Sequence, residues 1–235
     1  MCGIVGFVNY KKELPNKKNV INTMTQTLSN RGPDEDGIFM RKNLCLIHRR
    51  LSIIDIESGK QPMTKAYKGK ICTIVYNGEI YNSPEIMSEL RSKGFSFFGH
   101  SDTEVVLTAY LCWGTKCVEK LNGIFAFAIW DDDEQRLFLA RDRIGVKPLF
   151  YYEYKNGLLF ASEIKTLLKN PIVEPKIDEQ GLYEVFLLGP ARTSGFGVIK
   201  DIKELLPGEC ATYNGKEIRK KKYFTLRAYE HRDNE

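Results

Sequence analysis

The sequence is short of most of the features that assign a function at sight. No apolar run approaches the ~18 residues that a membrane-spanning helix needs. The apolar stretch at 4–8 is too short for the core of a secretion signal and has no basic segment before it. None of the six cysteines forms a C-x-x-C pair, so zinc-knuckle spacing is absent and no metal site is expected. There is no phosphate-binding P-loop, no G-x-G-x-x-G, no internal repeat and no low-complexity block. Charge of one sign is barely in excess: 35 basic against 30 acidic residues leave a formal +5. The basic run RKKK at 219–222 has no interleaved aromatics and reads as a solvated strand end or linker. These absences argue against a membrane protein, a nucleic-acid binder and a nucleotide-binding fold.

What remains is an ordinary globular composition. With 43% hydrophobic residues over 235 positions, the chain can bury a sizeable core without disulfide staples. Cys45, Cys72 and Cys112 sit in apolar segments, where reduced cysteine behaves as a small hydrophobe. A reducing cytoplasm is the expected compartment.

Along the chain, CGIVGFV (2–8) reads as a buried strand. Residues 16–30 carry Val20, Ile21, Met24 and Leu28 at helical spacing, ended by the loop NRGPDEDG. Two strands follow, joined near Lys42 and Asn43, and KICTIVYNGEIYN is a strand running into a turn at Asn77-Gly78. Ser83-Pro84-Glu85 predicts a helix start with a capping serine, and SDTE (101–104) predicts a capping box opening a second helix to Gly114. From Gly123 onward the texture is β, with a type I′ hairpin expected at KNGL (155–158), a helix over 178–188 and a second Asn-Gly hairpin in ECATYNGKEI. Helices and strands do not alternate strictly, which argues against a doubly wound parallel sheet. Two antiparallel sheets with helices on their outer faces fit the list.

Several residues carry chemistry in one reading and plain structure in another. Cys2 is either a buried cysteine at a strand start or, once Met1 is removed, an N-terminal nucleophile with thiol and α-amine in one residue. The α-amine, with a typical pKa of about 7.7–8.0, is a nearly matched base for a thiol of about 8.5. Asn77 and Gly78 are an ordinary turn or an oxyanion hole, with one side-chain amide and one backbone N–H. Arg50 is a surface arginine or a carboxylate clamp, and Asp102 compensates a helix dipole or accepts an ammonium group. His48 and His100 read as structural or surface residues.

Their order changes the odds. MCGIVGF (1–7), RGPDEDG (31–37), HRRLSIID (48–55), QPM (61–63), YNGEIYN (76–82), SDTEVVL (101–107), LNGIFAFAIWD (121–131) and RDRIGVKPLFY (141–151) together resemble one family. It is the glutaminase domain of class II glutamine amidotransferases, of the N-terminal-nucleophile hydrolase type. The wording of RGPD and NGEIYN is nearer to the asparagine synthetase B branch than to the glucosamine-phosphate, purine or glutamate synthase branches. The likeness spans roughly residues 1–170 and is loose beyond. One departure is Asn30, where the family often has histidine.

The resemblance implies an α+β fold, a four-layer αββα sandwich. It implies Cys2 as nucleophile, and Asn77 and Gly78 as oxyanion hole. It assigns Arg50 to the α-carboxylate of L-glutamine and Asp102 to its α-ammonium, with Leu51, Ser52, Ile53, Ile54 and Glu79 lining the pocket. Residues 1–225 are expected to form the glutaminase domain and 226–235 a linker or tail toward a synthetase domain or subunit that accepts the ammonia and amidates aspartate. No cofactor is expected in this domain; ATP and Mg belong to the synthetase domain, whose pyrophosphate loop does not occur here. The chain is then either shortened or a stand-alone subunit. Membrane and nucleic-acid partners are not expected, and a homodimer is compatible with the family. The rival reading is a non-catalytic glutamine-sensing or scaffold module. A hydrolase of another amide is disfavoured, because Arg50 and Asp102 together suit a free amino acid.

Overall fold

The computed structural model describes residues 1–11, 17–51, 59–189, 191 and 193–227. Residues 228–235 of the expected tail at 226–235 and the pocket residues Ser52, Ile53 and Ile54 lie outside the described residues.

The elements run β1 (Gly3–Asn9), α1 (Lys17–Thr27), β2 (Glu35–Met40), β3 (Leu44–Arg50), β4 (Met63–Tyr67), β5 (Lys70–Ile80), α2 (Ser83–Ser92), α3 (Asp102–Trp113), α4 (Cys117–Lys120), β6 (Gly123–Asp131), β7 (Arg136–Arg141), β8 (Phe150–Tyr154), β9 (Gly157–Ala161), α5 (Ile164–Leu167), α6 (Glu179–Leu188), β10 (Ile202–Glu204), β11 (Glu209–Tyr213) and β12 (Ile218–Lys222). Two six-stranded sheets form, in the orders β10-β8-β9-β1-β3-β2 and β12-β11-β7-β6-β5-β4. Each named strand pair is antiparallel.

Strand alternation sorts the side chains into three buried layers. Ile4 and Val8 of β1, Leu44 and Leu46 of β3, Val75 of β5, and Ala126, Ala128 and Trp130 of β6 meet between the sheets. Val5, Phe7, Cys45 and Ile47 face the other way and pack under Ile21 and Met24 of α1 and Leu167 of α5. Ile74 and Tyr76 of β5 pack under Val105, Val106 and Ala109 of α3 and Ile86 and Leu90 of α2. The result is the expected αββα sandwich. A hydrogen bond ties the sheets together: the buried His48 of β3 donates from Nε2 to the Tyr76 carbonyl of β5 at 3.1 Å. Burial pushes its pKa down to about 4, so His48 is the structural residue the sequence suggested.

Local chemistry departs from expectation at four points. Asn77-Gly78 is not a turn: β5 runs on to Ile80, in register with β6 through the pairs Asn77↔Ala126, Gly78↔Phe125 and Ile80↔Gly123. Gly78 is required there by close packing, since a Cβ would press into the Ile124 carbonyl and the Phe125 backbone. Ser83 is not the cap of α2. Asn82 holds the N-cap position, with its side chain committed to the Lys120 carbonyl and the Asn122 N–H. The capping box of α3 is half formed. Ser101 accepts from Thr103 N–H, but Glu104 turns instead to Lys65 Nζ at 2.7 Å and to the N–H groups of Phe98 and Gly99. At the β8–β9 hairpin only Asn156 has positive φ and Tyr154 pairs with Gly157, so the central residues are Lys155 and Asn156 and the turn is not type I′.

All six cysteines are free thiols. RKKK lies on the edge strand β12. The helix at 179–188 leaves Tyr183, Phe186 and Leu187 exposed. Among the described residues no helix is long and apolar enough to cross a membrane.

Candidate functional site

The site lies where one edge of β5 is left without a partner strand. β4 pairs with β5 only as far as Met63↔Ile74. The next residue back is Pro62, and the β4–β5 ladder does not continue past Met63. Beyond Ile74 the free edge of β5 is served by side chains: Tyr76 N–H donates to Gln61 Oε1 at 2.6 Å, and Ile80 N–H donates to Asp102 Oδ2 at 3.2 Å. N–H groups two residues apart on a strand point the same way. Gly78 N–H therefore projects from the same edge, between these two. Its partner across the ladder agrees: Phe125 N–H and C=O bond Asp142, on the opposite side from β5.

Beside this edge is a cavity of about 340 Å³, lined among others by Cys2, Arg50, Leu51, Asn77, Gly78, Glu79 and Asp102. Every described residue expected in the site is thus gathered in one place, although they come from β1, β3, β5 and α3. Cys2 stands at the mouth of β1, half-buried, with Leu51 N–H aimed at its Sγ from 3.5 Å. Its carbonyl accepts from Arg31 Nε at 3.0 Å, and Arg31 Nη1 is anchored in turn on Glu163 at 3.1 Å. Gly32 lets this loop lie flat on β3, because a Cβ would strike the Arg49 carbonyl.

Asn77 faces the space between the sheets and is 2% exposed, yet among the described residues its Nδ2 has no hydrogen-bond partner. A buried donor left unpaired costs free energy unless something fills it. Asn77 Nδ2 and Gly78 N–H are thus adjacent donors on the cavity wall, suited to an oxygen that acquires negative charge.

The charged ends of the cavity are also built. Arg50 is buried and donates from Nη1 to Glu35 Oε2 at 3.2 Å across the β2–β3 pair, so its guanidinium is held in orientation. Asp102 accepts from the Tyr76 hydroxyl at 2.6 Å. Burial pushes the Asp102 carboxyl above the usual range, against the opposing effect of the hydrogen bonds from Tyr76, Ile80 and Thr103. The Tyr76 hydroxyl is raised well above its ordinary value, by burial first and by Asp102 next, which keeps it a donor. His100 stands exposed at the rim.

Sequence reasoning assigned no role to Gln61, Tyr76, Glu35, Arg31 or Lys147. All five fall inside or beside the quoted motifs. Gln61 and Tyr76 dress the open strand edge, Glu35 orients Arg50, and Arg31 anchors the Cys2 carbonyl. Lys147 lines the cavity at 8% exposure. Among the described residues, no group of three or more His, Cys, Asp or Glu is placed to hold a metal ion.

Comparison with known proteins agrees with this geometry. The family model for the glutamine amidotransferase domain matches residues 1–224. Asparagine synthetase [glutamine-hydrolyzing] 3 of Bacillus subtilis (strain 168) is 46% identical over 233 residues, covering 99% of this chain and 38% of that protein. Asparagine synthetase [glutamine-hydrolyzing] 1 of the same strain is 40% identical over 188 residues, covering 78% of this chain and 29% of that protein. The chain thus spans well under half the length of these curated relatives. Among solved structures, the glutamine phosphoribosylpyrophosphate amidotransferase from B. subtilis, complexed with ADP and GMP, shares the fold. It superposes with a TM-score of 0.68 at 18% identity over 96% of this chain and 50% of that one.

Proposed function

The chain belongs to the glutamine amidotransferase domain family, and from that premise we propose that it hydrolyses the side-chain amide of L-glutamine to glutamate and ammonia, with Cys2 as nucleophile. The observation that carries the reading is the Asn77 Nδ2, unpaired among the described residues, beside the Gly78 N–H that points from the open edge of β5, in one cavity with the Cys2 sulfur.

In this reading the Cys2 sulfur attacks the amide carbon, and its proton passes to the α-amine of the processed chain. The amide oxygen, now negative, lies against Asn77 and Gly78. The tetrahedral adduct collapses as the α-ammonium returns the proton to the leaving nitrogen, and ammonia departs. Water, activated by the same amine, then cleaves the glutamyl thioester. Arg50 takes the α-carboxylate and Asp102 the α-ammonium, with Leu51 and Glu79 along the wall. No cofactor enters these steps.

The longer relatives are named as glutamine-hydrolysing asparagine synthetases. On that ground the ammonia is passed to an ATP- and Mg-dependent synthetase domain that converts aspartate to asparagine, in the cytoplasm. Residues 1–225 are the glutaminase module, and the exposed apolar face of α6 is the surface such a domain would cover.

The test is glutamate and ammonia release from glutamine by the N-terminally processed chain and by Cys2→Ala. Release by the first and none by the second is expected. Calorimetric binding of glutamine without release by the intact chain would instead identify a sensing module.

A further inference from the structure

Among the described residues two lysines are almost wholly buried, and their surroundings differ. Lys65, 9% exposed, has a full set of partners: Glu104 Oε1 at 2.7 Å and the Ser96 carbonyl at 2.6 Å. Lys147, 8% exposed, has no carboxylate within ion-pair distance among the described residues. Its Nζ meets one acceptor, the thioether Sδ of Met1 at 3.2 Å. A thioether is a weak acceptor and cannot balance a charge. Burying an ammonium without a counter-ion is costly, so the position calls for an explanation beyond packing.

The chain takes care to hold Lys147 there. Asp142, fully buried, accepts the N–H groups of Ile144, Val146 and Lys147 itself. Arg141 grips the Lys147 carbonyl at 2.8 Å and the Gly145 carbonyl at 2.8 Å, and is paired with Glu204 at 3.0 Å. The loop is rigid, and the ammonium it presents is aimed at the residue that precedes Cys2.

We infer that Lys147 is a positioning residue of the glutaminase site, the fixed positive charge that holds the Cys2 α-amine in its neutral, basic form once Met1 is gone. This rests on the reading of Cys2 as N-terminal nucleophile. A like charge nearby disfavours protonation of the amine, and only the unprotonated amine can take the thiol proton. Three of the charged groups around this end of the cavity are engaged elsewhere. Asp102 of α3 holds the Tyr76 hydroxyl, Arg50 of β3 holds Glu35, and Arg31 holds Glu163 behind the Cys2 carbonyl. Glu79 of β5 lies on the exposed side and His100 at the rim. Among the described residues, Lys147 pairs with no carboxylate.

The experiment uses the processed wild type, Lys147→Met, Lys147→Gln and Lys147→Arg. The pH profile of kcat/KM for glutamine is measured from pH 5.5 to 9.5. In a second arm without glutamine, the rate of Cys2 alkylation by iodoacetamide is followed by mass spectrometry of the N-terminal peptide. Lys147→Met is expected to move the acid limb of both profiles up by about one pH unit, a loss of about tenfold near pH 6.5 that closes above pH 9. Lys147→Arg is expected to restore the limb, and Lys147→Met to melt no lower than wild type. An acid limb left in place, or an equal loss at every pH, overturns the inference. A Tm several degrees lower in both Lys147→Met and Lys147→Gln makes Lys147 structural and overturns it too. Should the wild type release no glutamate, the glutaminase reading falls, while the alkylation arm still decides the role of Lys147.

Discussion

Gln61 Oε1 accepts the Tyr76 N–H at 2.6 Å, on the edge of β5 that β4 leaves unpaired beyond Ile74. Where β4 stops, one side chain keeps the open edge of β5 ordered. The same edge carries Gly78 N–H, flanked by the Asn77 side chain. A ladder continued back to residue 59 would have consumed the Gly78 N–H.

Asn77→Ala is expected to lower kcat while glutamine still binds. A donor aimed at charge that exists only after attack contributes to the transition state and little to the ground state. Loss of one such donor typically costs about 10²–10³ in kcat. Steady-state kinetics of glutamate release check this, and turnover at the wild-type rate would leave the unpaired Nδ2 without a catalytic meaning.

Arg50→Ala and Asp102→Ala are expected to do the reverse, raising KM far more than they lower kcat. Each faces the α-carbon end of the substrate, several bonds from the scissile amide, and is used in ground and transition state alike. Removing one partner of such a charged contact costs about 2–5 kcal/mol. The raised pKa of Asp102 adds a sign. Its carboxylate is lost at a higher pH than an ordinary aspartate, so KM should climb as pH falls toward the carboxylate range, and this climb should vanish in Asp102→Asn. A normal KM with a collapsed kcat in either alanine variant would remove both residues from substrate binding.

How much of this was legible in the sequence follows from what kind of signal each feature leaves. The strands were readable because CGIVGFV and NLCLIHR are short, nearly continuous apolar runs, the pattern of strands buried on both faces. The residues that line the cavity were readable because they sit in contiguous motifs. The Asn77-Gly78 turn was misread because its glycine answers to close packing on Phe125, a partner 47 residues away, and not to local backbone needs. Glu104 forsakes its capping box for the same kind of reason, a buried Lys65 that no local rule announces. Gln61 and Lys147 left a trace in quoted motifs, but their roles depend on which strand edge is open and which charge lacks a partner.

His48→Gln should change the pH dependence of stability. Burial lowers the pKa of His48 from 6.5 to about 4. Between those values the unfolded chain binds a proton that the native chain refuses, so stability rises with pH across the window and is lost as pH falls. The full span corresponds to about 3 kcal/mol. The amide of glutamine can still donate to the Tyr76 carbonyl, so the variant keeps the tie between the sheets and loses the titration. Thermal melts from pH 7 to 4.5 should show a smaller fall in Tm for the variant. Parallel curves would mean that His48 protonates without leaving its place.

Met1 should be absent from the active protein, and a chain that keeps it should release no glutamate. With Met1 attached, the Cys2 nitrogen is an amide whose lone pair is delocalised into a planar peptide bond, and it cannot serve as a base at neutral pH. The side chain is in the way as well, since Met1 lines the cavity and its Sδ lies on Lys147 Nζ. A thiol left to its own pKa of about 8.5 is only a few per cent thiolate at pH 7. No other described group offers a base: His48 is buried between the sheets with its Nε2 on Tyr76, and His100 is at the rim. The comparison is between two preparations whose intact masses differ by one methionine, the longer one protected by an N-terminal tag. Glutamate release at equal rates would take the α-amine out of the mechanism, and with it the reason for placing a cation beside it.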